Sequence, residues 1–215
     1  MSKITAIAQQ KKLRNRFNLF IDGKFDIGID GSLILKYDLK IGDEFTPALK
    51  RNLENDDRLE LAYSGLLNYI AYRERCEHEV QVWLKKKGYS GFEADLITRL
   101  KQKNYLNDAR YTRLFIRDHV RLKGWGPIRL RHELASKRIA KAIIEDELEI
   151  IRDEFNFSQM ALDQLHYKLK YTQHPNYKDK KRLWNMLRRR GFENQSITFA
   201  MDQINFAADN PETDT

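Results

Sequence analysis

The residues able to do acid–base, nucleophilic or metal chemistry are few, and they are poorly spaced for it. His78-Glu79 and His132-Glu133 each begin like the zinc motif H-E-x-x-H, but neither has a second histidine four residues on. His119, His166 and His174 are isolated, and each reads as a core-edge or loop histidine. One cysteine, Cys76, builds neither a zinc cluster nor an internal disulfide. Asp179-Lys180-Lys181 has the form of a nuclease D-x-K, but no upstream acid pair supports it, and surface charge is the simpler reading. There is no P-loop and no G-x-G-x-x-G after a strand. No catalysis, metal or cofactor is therefore expected.

Binding chemistry is better represented. The 215 residues include 39 Lys and Arg against 31 Asp and Glu, a formal net charge of +8. That balance favours nucleic acid, or a partner that already carries it. An anionic membrane would also suit, but no lipidation signal or membrane-length apolar run is present, so no membrane partner is expected. The first residues, "MSKITAIAQQKKLRNRF", have no apolar stretch of signal-peptide length. With the single cysteine, this points to a reducing cytoplasm.

The charge is patterned. "LKKKGY" (84–89), "LASKRI" (134–139) and "LRRRGF" (187–192) write nearly one hexapeptide three times. Each reads as a helix stop. Gly88 or Gly191 at C′ takes a left-handed conformation, and the flanking apolar residues touch across the stop. The middle copy places Arg138 at C′, which costs roughly 1–2 kcal/mol for an L-residue and predicts a weaker or differently shaped stop. The stop needs the leucine, the glycine and the aromatic, and one cation offsets the helix dipole. It does not need Lys85, Lys86 and Lys87 together, nor Arg188, Arg189 and Arg190. Consecutive helical residues fan out by about 100°, so each triplet surrounds an exposed helix end. The triplets suit a polyanion; solubility alone is the alternative. A second cluster is Arg110, Arg113, Arg117 and Arg121, a stripe down one helix that lies about 130° from an expected Tyr111/Phe115/Leu122 core face. A solvated face partnered by Asp118 explains that stripe equally well. Lys123, Arg129, Arg131, Lys137 and Arg138 extend the basic region. Trp125, Trp184 and Tyr177 lie near basic residues and could stack on bases, although burial is the better reading for Trp184.

The elements that must position these groups differ along the chain. In "RFNLFIDGKFDIGID" (16–30), two alternating runs flank Asp22-Gly23, a hairpin signal. Phe17, Leu19 and Ile21 should face the same side as Phe25, Ile27 and Ile29, with 3–10 as a third strand. Residues 31–39 suit a short helix capped by Asp30 better than a strand. From about residue 47 the apolar period is helical. The first stripe is Leu59, Tyr63, Leu66 and Ile70; Cys76, Val80, Trp83 and Leu84, then Ala94, Ile97 and Leu100, follow. The next set starts with a cap at Asn107 or Asp108 and places Pro127 at a first helical position. Its later contacts are Ile128, Leu130 and Leu134, then Ile143, Ile144 and Leu148. The last set is Ala161, Leu165 and Leu169, then Leu183, Met186 and Leu187, then Ile197, Met201 and Ile204. The stops recur after fifty and fifty-three residues. The fold class is therefore mainly α: tandem three-helix repeats in a curved elongated array, with a small N-terminal antiparallel β-hairpin or sheet. The segments are a β-rich region at 1–46, repeats at 47–106, 107–152 and 153–206, and a flexible acidic tail at 207–215. Units this small should share a core with their neighbours.

"YRERCEHEV", "LNDARY", "GPIRLRHEL" and the three stops, behind "ITAIAQQKK…RFNLFIDGKFDIGID", closely resemble the RecX family from about Ile4 to Ile204. The family usually has Ser or Thr where this chain has Cys76, three residues before Glu79. The lost capping box should weaken that helix start by about 1 kcal/mol or shift its cap. The resemblance implies a non-enzymatic regulator of the RecA recombinase. Such a protein docks in the groove of the RecA–single-stranded DNA filament and restrains ATP hydrolysis, strand exchange and co-protease activity. The expected partners are RecA and the DNA phosphate backbone, and the expected state is a monomer. The contacts expected from charge are Lys85–Lys87, Arg110, Arg113, Arg117, Arg121, Arg129, Arg131, Lys137, Arg138 and Arg188–Arg190. A helical DNA-binding module acting without RecA is the alternative.

Overall fold

The computed structural model describes residues 2–172 and 175–206. His174 and the expected acidic tail at 207–215 lie outside the described residues. Compact packing groups the chain into two units. One holds the residues up to Arg75 with Glu79–Leu106; the other holds Cys76–His78 with the chain from Asn107 onward.

In the first unit Asp22 and Gly23 both take positive φ, 49° and 80°. A two-residue type I′ hairpin turn requires that. The turn joins β2 (Arg16–Ile21) to β3 (Lys24–Asp30), and β1 (Ile4–Gln9) pairs on the other side of β2, all antiparallel. Leu19 and Ile29 are fully buried, as the alternation demands. A register shift between Leu19 and Phe20 interrupts that alternation. An irregularity of this kind reverses which face the following side chains occupy. Phe25, expected on the core face, is instead 59% exposed and meets Phe20 edge-on at 6.2 Å. Asp30 caps the short helix α1 (Gly31–Lys36), its carboxylate accepting the Ser32 N–H at 2.9 Å.

Helix α2 (Pro47–Tyr72) starts at Thr46, whose hydroxyl accepts the Leu49 N–H, with Pro47 at a position that needs no donor. At 26 residues it is about 39 Å long. Its first half packs Leu53 on the sheet, and its second half buries Ala62, Tyr63 and Leu66 against α3 (Glu77–Lys86) and α4 (Glu93–Gln102). Asp57 fixes the first half. Its two oxygens take the Arg16 guanidinium at 3.1 and 2.9 Å, and Oδ1 also accepts the Asp30 N–H at 2.8 Å. Arg16 donates in turn to the Gly28 carbonyl at 2.8 Å. The pair thereby occupies backbone groups of the edge strand β3, which an uncovered edge would offer to another chain. Within the first trio, Val80, Leu84, Ile97 and Leu100 are buried as the period predicts, whereas Ala94 is exposed and Leu96 takes its place.

The second unit contains α5 (Asp108–Lys123), α6 (Pro127–Ser136), α7 (Lys141–Arg152), α8 (Phe157–Leu169), α9 (Tyr177–Arg190) and α10 (Asn194–Asp202). Asn107 caps α5, and Pro127 opens α6. Cys76, which precedes α3, is fully buried in this unit's core. At the start of α3 the Asp108 carboxylate accepts the Glu77 N–H at 2.9 Å. The six helices share one core, in which Ile116, Leu130 and Leu134 join Leu165, Leu187 and Ile197, all inaccessible to solvent. Each such side chain contributes about 1.5–3 kcal/mol of burial, and neither trio closes that core by itself. Two expected core residues are not there. Leu122 is 82% exposed because α5 buries Thr112, Ile116 and Val120 instead, and Ile128 is 50% exposed because α6 buries Pro127, Leu130 and Leu134. Trp184 is half-buried against the core, and Tyr177 is exposed.

Candidate nucleic-acid interface

The three repeated hexapeptides fold alike. Gly88, Arg138 and Gly191 have φ of 78°, 58° and 84°. In each case the following N–H reaches back to the leucine carbonyl: Tyr89 to Leu84 at 2.9 Å, Ile139 to Leu134 at 3.3 Å and Phe192 to Leu187 at 3.2 Å. The middle stop therefore keeps the shape of the others despite its arginine. Asp38 and Asn104 make two further stops of this kind, with φ of 48° and 55°. Both residue types tolerate the left-handed region, which was the available signal for them.

The stops present their cations differently. Lys85, Lys86 and Lys87 are exposed and have no ion-pair partner among the described residues. The same holds for Arg138, Arg188 and Arg189. Arg190 is half-buried, and its Nη1 donates to Gln164 Oε1 at 2.7 Å.

The α5 stripe is engaged within the fold. Arg113 lies one residue beyond buried Thr112, so it flanks the core face and reaches α7. Its guanidinium grips the buried Glu147 through Nε at 2.7 Å and Nη2 at 2.9 Å. That hydrogen bond, and the charge behind it, hold Arg113 more firmly protonated than usual. Arg117 and Arg121 share Glu154, each at 2.8 Å. Arg131 on α6 bridges Glu145 at 3.0 Å and Glu193 at 2.9 Å. Its burial favours loss of the proton, but the two carboxylates outweigh it and raise its pKa. Lys137 lies over the Tyr111 and Phe115 rings at 5.9 and 5.8 Å, and Arg110 is engaged too. Asp118, the partner expected for the stripe, is not the one used by Arg113, Arg117 or Arg121.

One junction was not legible in the separate motifs. The end of α9 abuts the start of α6. The Gly126 N–H donates to the Arg190 carbonyl at 2.8 Å, and the Ile128 N–H to the Gly191 carbonyl at 2.9 Å. The α6 N-terminus is thus occupied by backbone acceptors at two of the donors that otherwise attract anions. A Cβ on Gly126 would lie 2.4 Å from the Gly191 oxygen, so only glycine permits the approach. Gln164 completes the contact by donating to the Gly124 carbonyl at 2.9 Å. Arg188–Arg190 are consequently held beside the α5–α6 turn with Lys123, Trp125 and Arg129.

At that turn Phe115 stacks on His119 with ring centroids 3.8 Å apart, and Trp125 meets His119 at a tilt of 37°, 4.4 Å away. The Arg129 guanidinium covers Trp125 at 4.2 Å, and the Lys123 ammonium lies over the same ring at 4.7 Å. Burial lowers the His119 pKa, although its Nδ1 contacts the Phe115 carbonyl at 2.8 Å. The aromatic members are therefore partly spent on the fold, and the exposed cations are what remains for an anionic partner. No group of three or more His, Cys, Asp or Glu side chains that could hold a metal ion occurs among the described residues. Asp179 is explained by structure, as the N3 member of the α9 capping box with Asn176. No described helix is long and apolar enough to cross a membrane.

Comparison with known proteins matches two segments to family models. Residues 2–46 match the regulatory protein RecX N-terminal domain, and residues 107–148 match the RecX second three-helix domain. Regulatory protein RecX of Bacillus subtilis is 33% identical over 97% of this chain and 80% of its own length. That of Clostridium beijerinckii is 33% identical over 95% of this chain and 96% of its own. A crystal structure of a regulatory protein RecX superposes with a TM-score of 0.83 at 24% identity, covering 94% of this chain and 100% of that one. The RecX of Lactobacillus salivarius superposes at 0.63 and 21% identity over 69% of this chain and 97% of its own.

Proposed function

The chain belongs to the RecX family, and on that premise we propose that it binds the RecA–single-stranded DNA filament and negatively modulates RecA. It would restrain ATP hydrolysis, strand exchange and co-protease activity, and so limit recombinational repair and the SOS response, acting in the cytoplasm without catalysis of its own. The observation that best supports this is the set of solvent-facing cations at the helix stops that have no ion-pair partner among the described residues: Lys85–Lys87, Arg138, Arg188 and Arg189. A cation already inside a carboxylate pair must break that pair to reach a phosphate. A cation without one gains the whole contact and releases counterions from the DNA. Of the remaining candidates, Arg117, Arg121, Arg129 and Arg190 join the contact surface by rearranging exposed or neutral partners, exchanges worth only about 1 kcal/mol each at a surface. Arg110, Arg113, Arg131 and Lys137 hold the fold in the free protein and contribute to the field around it.

The test is the single-stranded-DNA-dependent ATPase of RecA, with and without stoichiometric amounts of the protein at fixed salt. The expected result is slower hydrolysis, weakening steeply as salt rises. Undiminished hydrolysis together with tight duplex binding would instead assign the chain to a DNA-binding module that acts without RecA.

A further inference from the structure

A cleft of about 310 Å³ separates α8 from α9, lined by Asp163, Gln164, Tyr167, Lys168, Met186 and Arg190. That size lies at the lower end of small-molecule sites, roughly 300–1,000 Å³. Its walls are of two kinds. Tyr167 is 83% exposed, and with the Met186 thioether it offers apolar, polarisable surface. Gln164 is already used twice, by the Gly124 carbonyl and by Arg190. That fixes one side of the cleft and leaves little for a ligand to displace. Asp163 accepts from Gln159 through Oδ1 at 2.9 Å, while its Oδ2 has no protein donor among the described residues. Arg190 and Lys168 contribute positive charge, and Arg188 and Arg189 precede Arg190 in the same last turn.

We propose that this cleft receives an unpaired base of single-stranded DNA whose phosphates run past Arg189 and Arg190. The inference rests on the nucleic-acid reading above and deepens it. A phosphate is a poor occupant, because the Asp163 carboxylate repels it. A base is a good one: its π-face stacks on Tyr167, and a ring N–H or exocyclic amine donates to Asp163 Oδ2. In a duplex those faces and donors are already used. The cleft therefore selects a single strand, and the adjoining arginines hold it by its backbone.

The experiment uses the full chain and labelled single-stranded DNA, compared with an abasic strand of equal length and charge, by fluorescence anisotropy at fixed salt. The base-bearing strand is expected to bind about tenfold more tightly, as one stacked base supplies. Tyr167→Ala should abolish that preference, Tyr167→Phe should keep it, and both variants should bind the abasic strand as the unaltered chain does. Equal affinity of the unaltered chain for the two strands, or a preference that survives Tyr167→Ala, overturns the base site while leaving the phosphate contacts standing. Failure to bind either strand overturns the base site and the nucleic-acid reading together, so the two failures are told apart.

Discussion

Alanine at Gly191 attacks the α6–α9 junction at its tightest point, and two separable costs are expected. The first is conformational: Gly191 has φ of +84°, where an L-residue costs about 1–2 kcal/mol. The second is steric. The new Cβ would lie 2.3 Å from the Arg129 nitrogen and 2.4 Å from its Cβ, so the two helix ends must separate. Separation lengthens the hydrogen bonds from Gly126 to Arg190 and from Ile128 to Gly191, worth about 0.5–1.5 kcal/mol net each. The sum is about 2–5 kcal/mol. Gly126→Ala carries the steric cost alone, because its Cβ meets the Gly191 carbonyl while no positive φ is recorded for it; about 1–3 kcal/mol is expected. Once one alanine has opened the junction, the other loses little more. The double variant should therefore fall well short of the summed single losses, as contacting sites do. Urea unfolding followed by fluorescence of Trp125 and Trp184 measures all three, with Trp83→Phe as common background. Strict additivity, or single losses within about 0.5 kcal/mol of zero as at ordinary surface sites, would refute the junction's geometry.

Arg138→Gly should stabilise the second unit by about 0.5–1 kcal/mol, since glycine relieves the left-handed strain at φ 58° but adds unfolded-state entropy; a shifted urea midpoint reports it. Asp108→Ala should remove the acceptor of the Glu77 N–H and cost about 1 kcal/mol, with faster amide exchange at the start of α3. His119 gives a pH dependence. Burial lowers its folded pKa below the ordinary 6.5, against the opposing influence of the Phe115 carbonyl and of Asp118 and Glu133, while Lys123 reinforces the shift. The unfolded chain then binds the proton more readily. The associated stability is complete above about pH 6.5 and is lost as pH falls below it. The stability of the unaltered chain relative to His119→Phe, which keeps an aromatic ring there, should fall on acidification; a difference independent of pH would contradict the reading.

Local signals carried much of the fold. Asp22-Gly23 marked the hairpin because few residue pairs accept two positive φ values in succession. The leucine–glycine–aromatic stops marked helix ends because their contacts span only six residues. Asn107 and Pro127 marked helix starts for equally local reasons. What failed was whatever depends on a partner far along the chain. Leu122 fits a helical period as well as Val120 does, and only the packing of α7 on α5 chooses between them. The register shift after Leu19 is invisible in an alternating sequence, so Phe25 was placed on the wrong face. The candidate site shows the same divide. Charge and spacing singled out the basic residues as candidates, but Glu147 and Glu154 lie 34 and 37 residues from Arg113 and Arg117, and no pattern links them. Gly191 was visible as the close of a helix stop, but its contact with Gly126 was not.

The central claim is that the helix-stop cations with no ion-pair partner among the described residues, more than the salt-bridged stripe of α5, carry the contact with the filament. The charge reversal Arg188→Glu with Arg189→Glu tests it most directly, titrated against the single-stranded-DNA-dependent ATPase of RecA. Loss of two phosphate contacts should raise the amount needed for half-inhibition by about tenfold or more at moderate salt, with far-UV helicity unchanged. An inhibition curve that overlays that of the unaltered chain would contradict the claim.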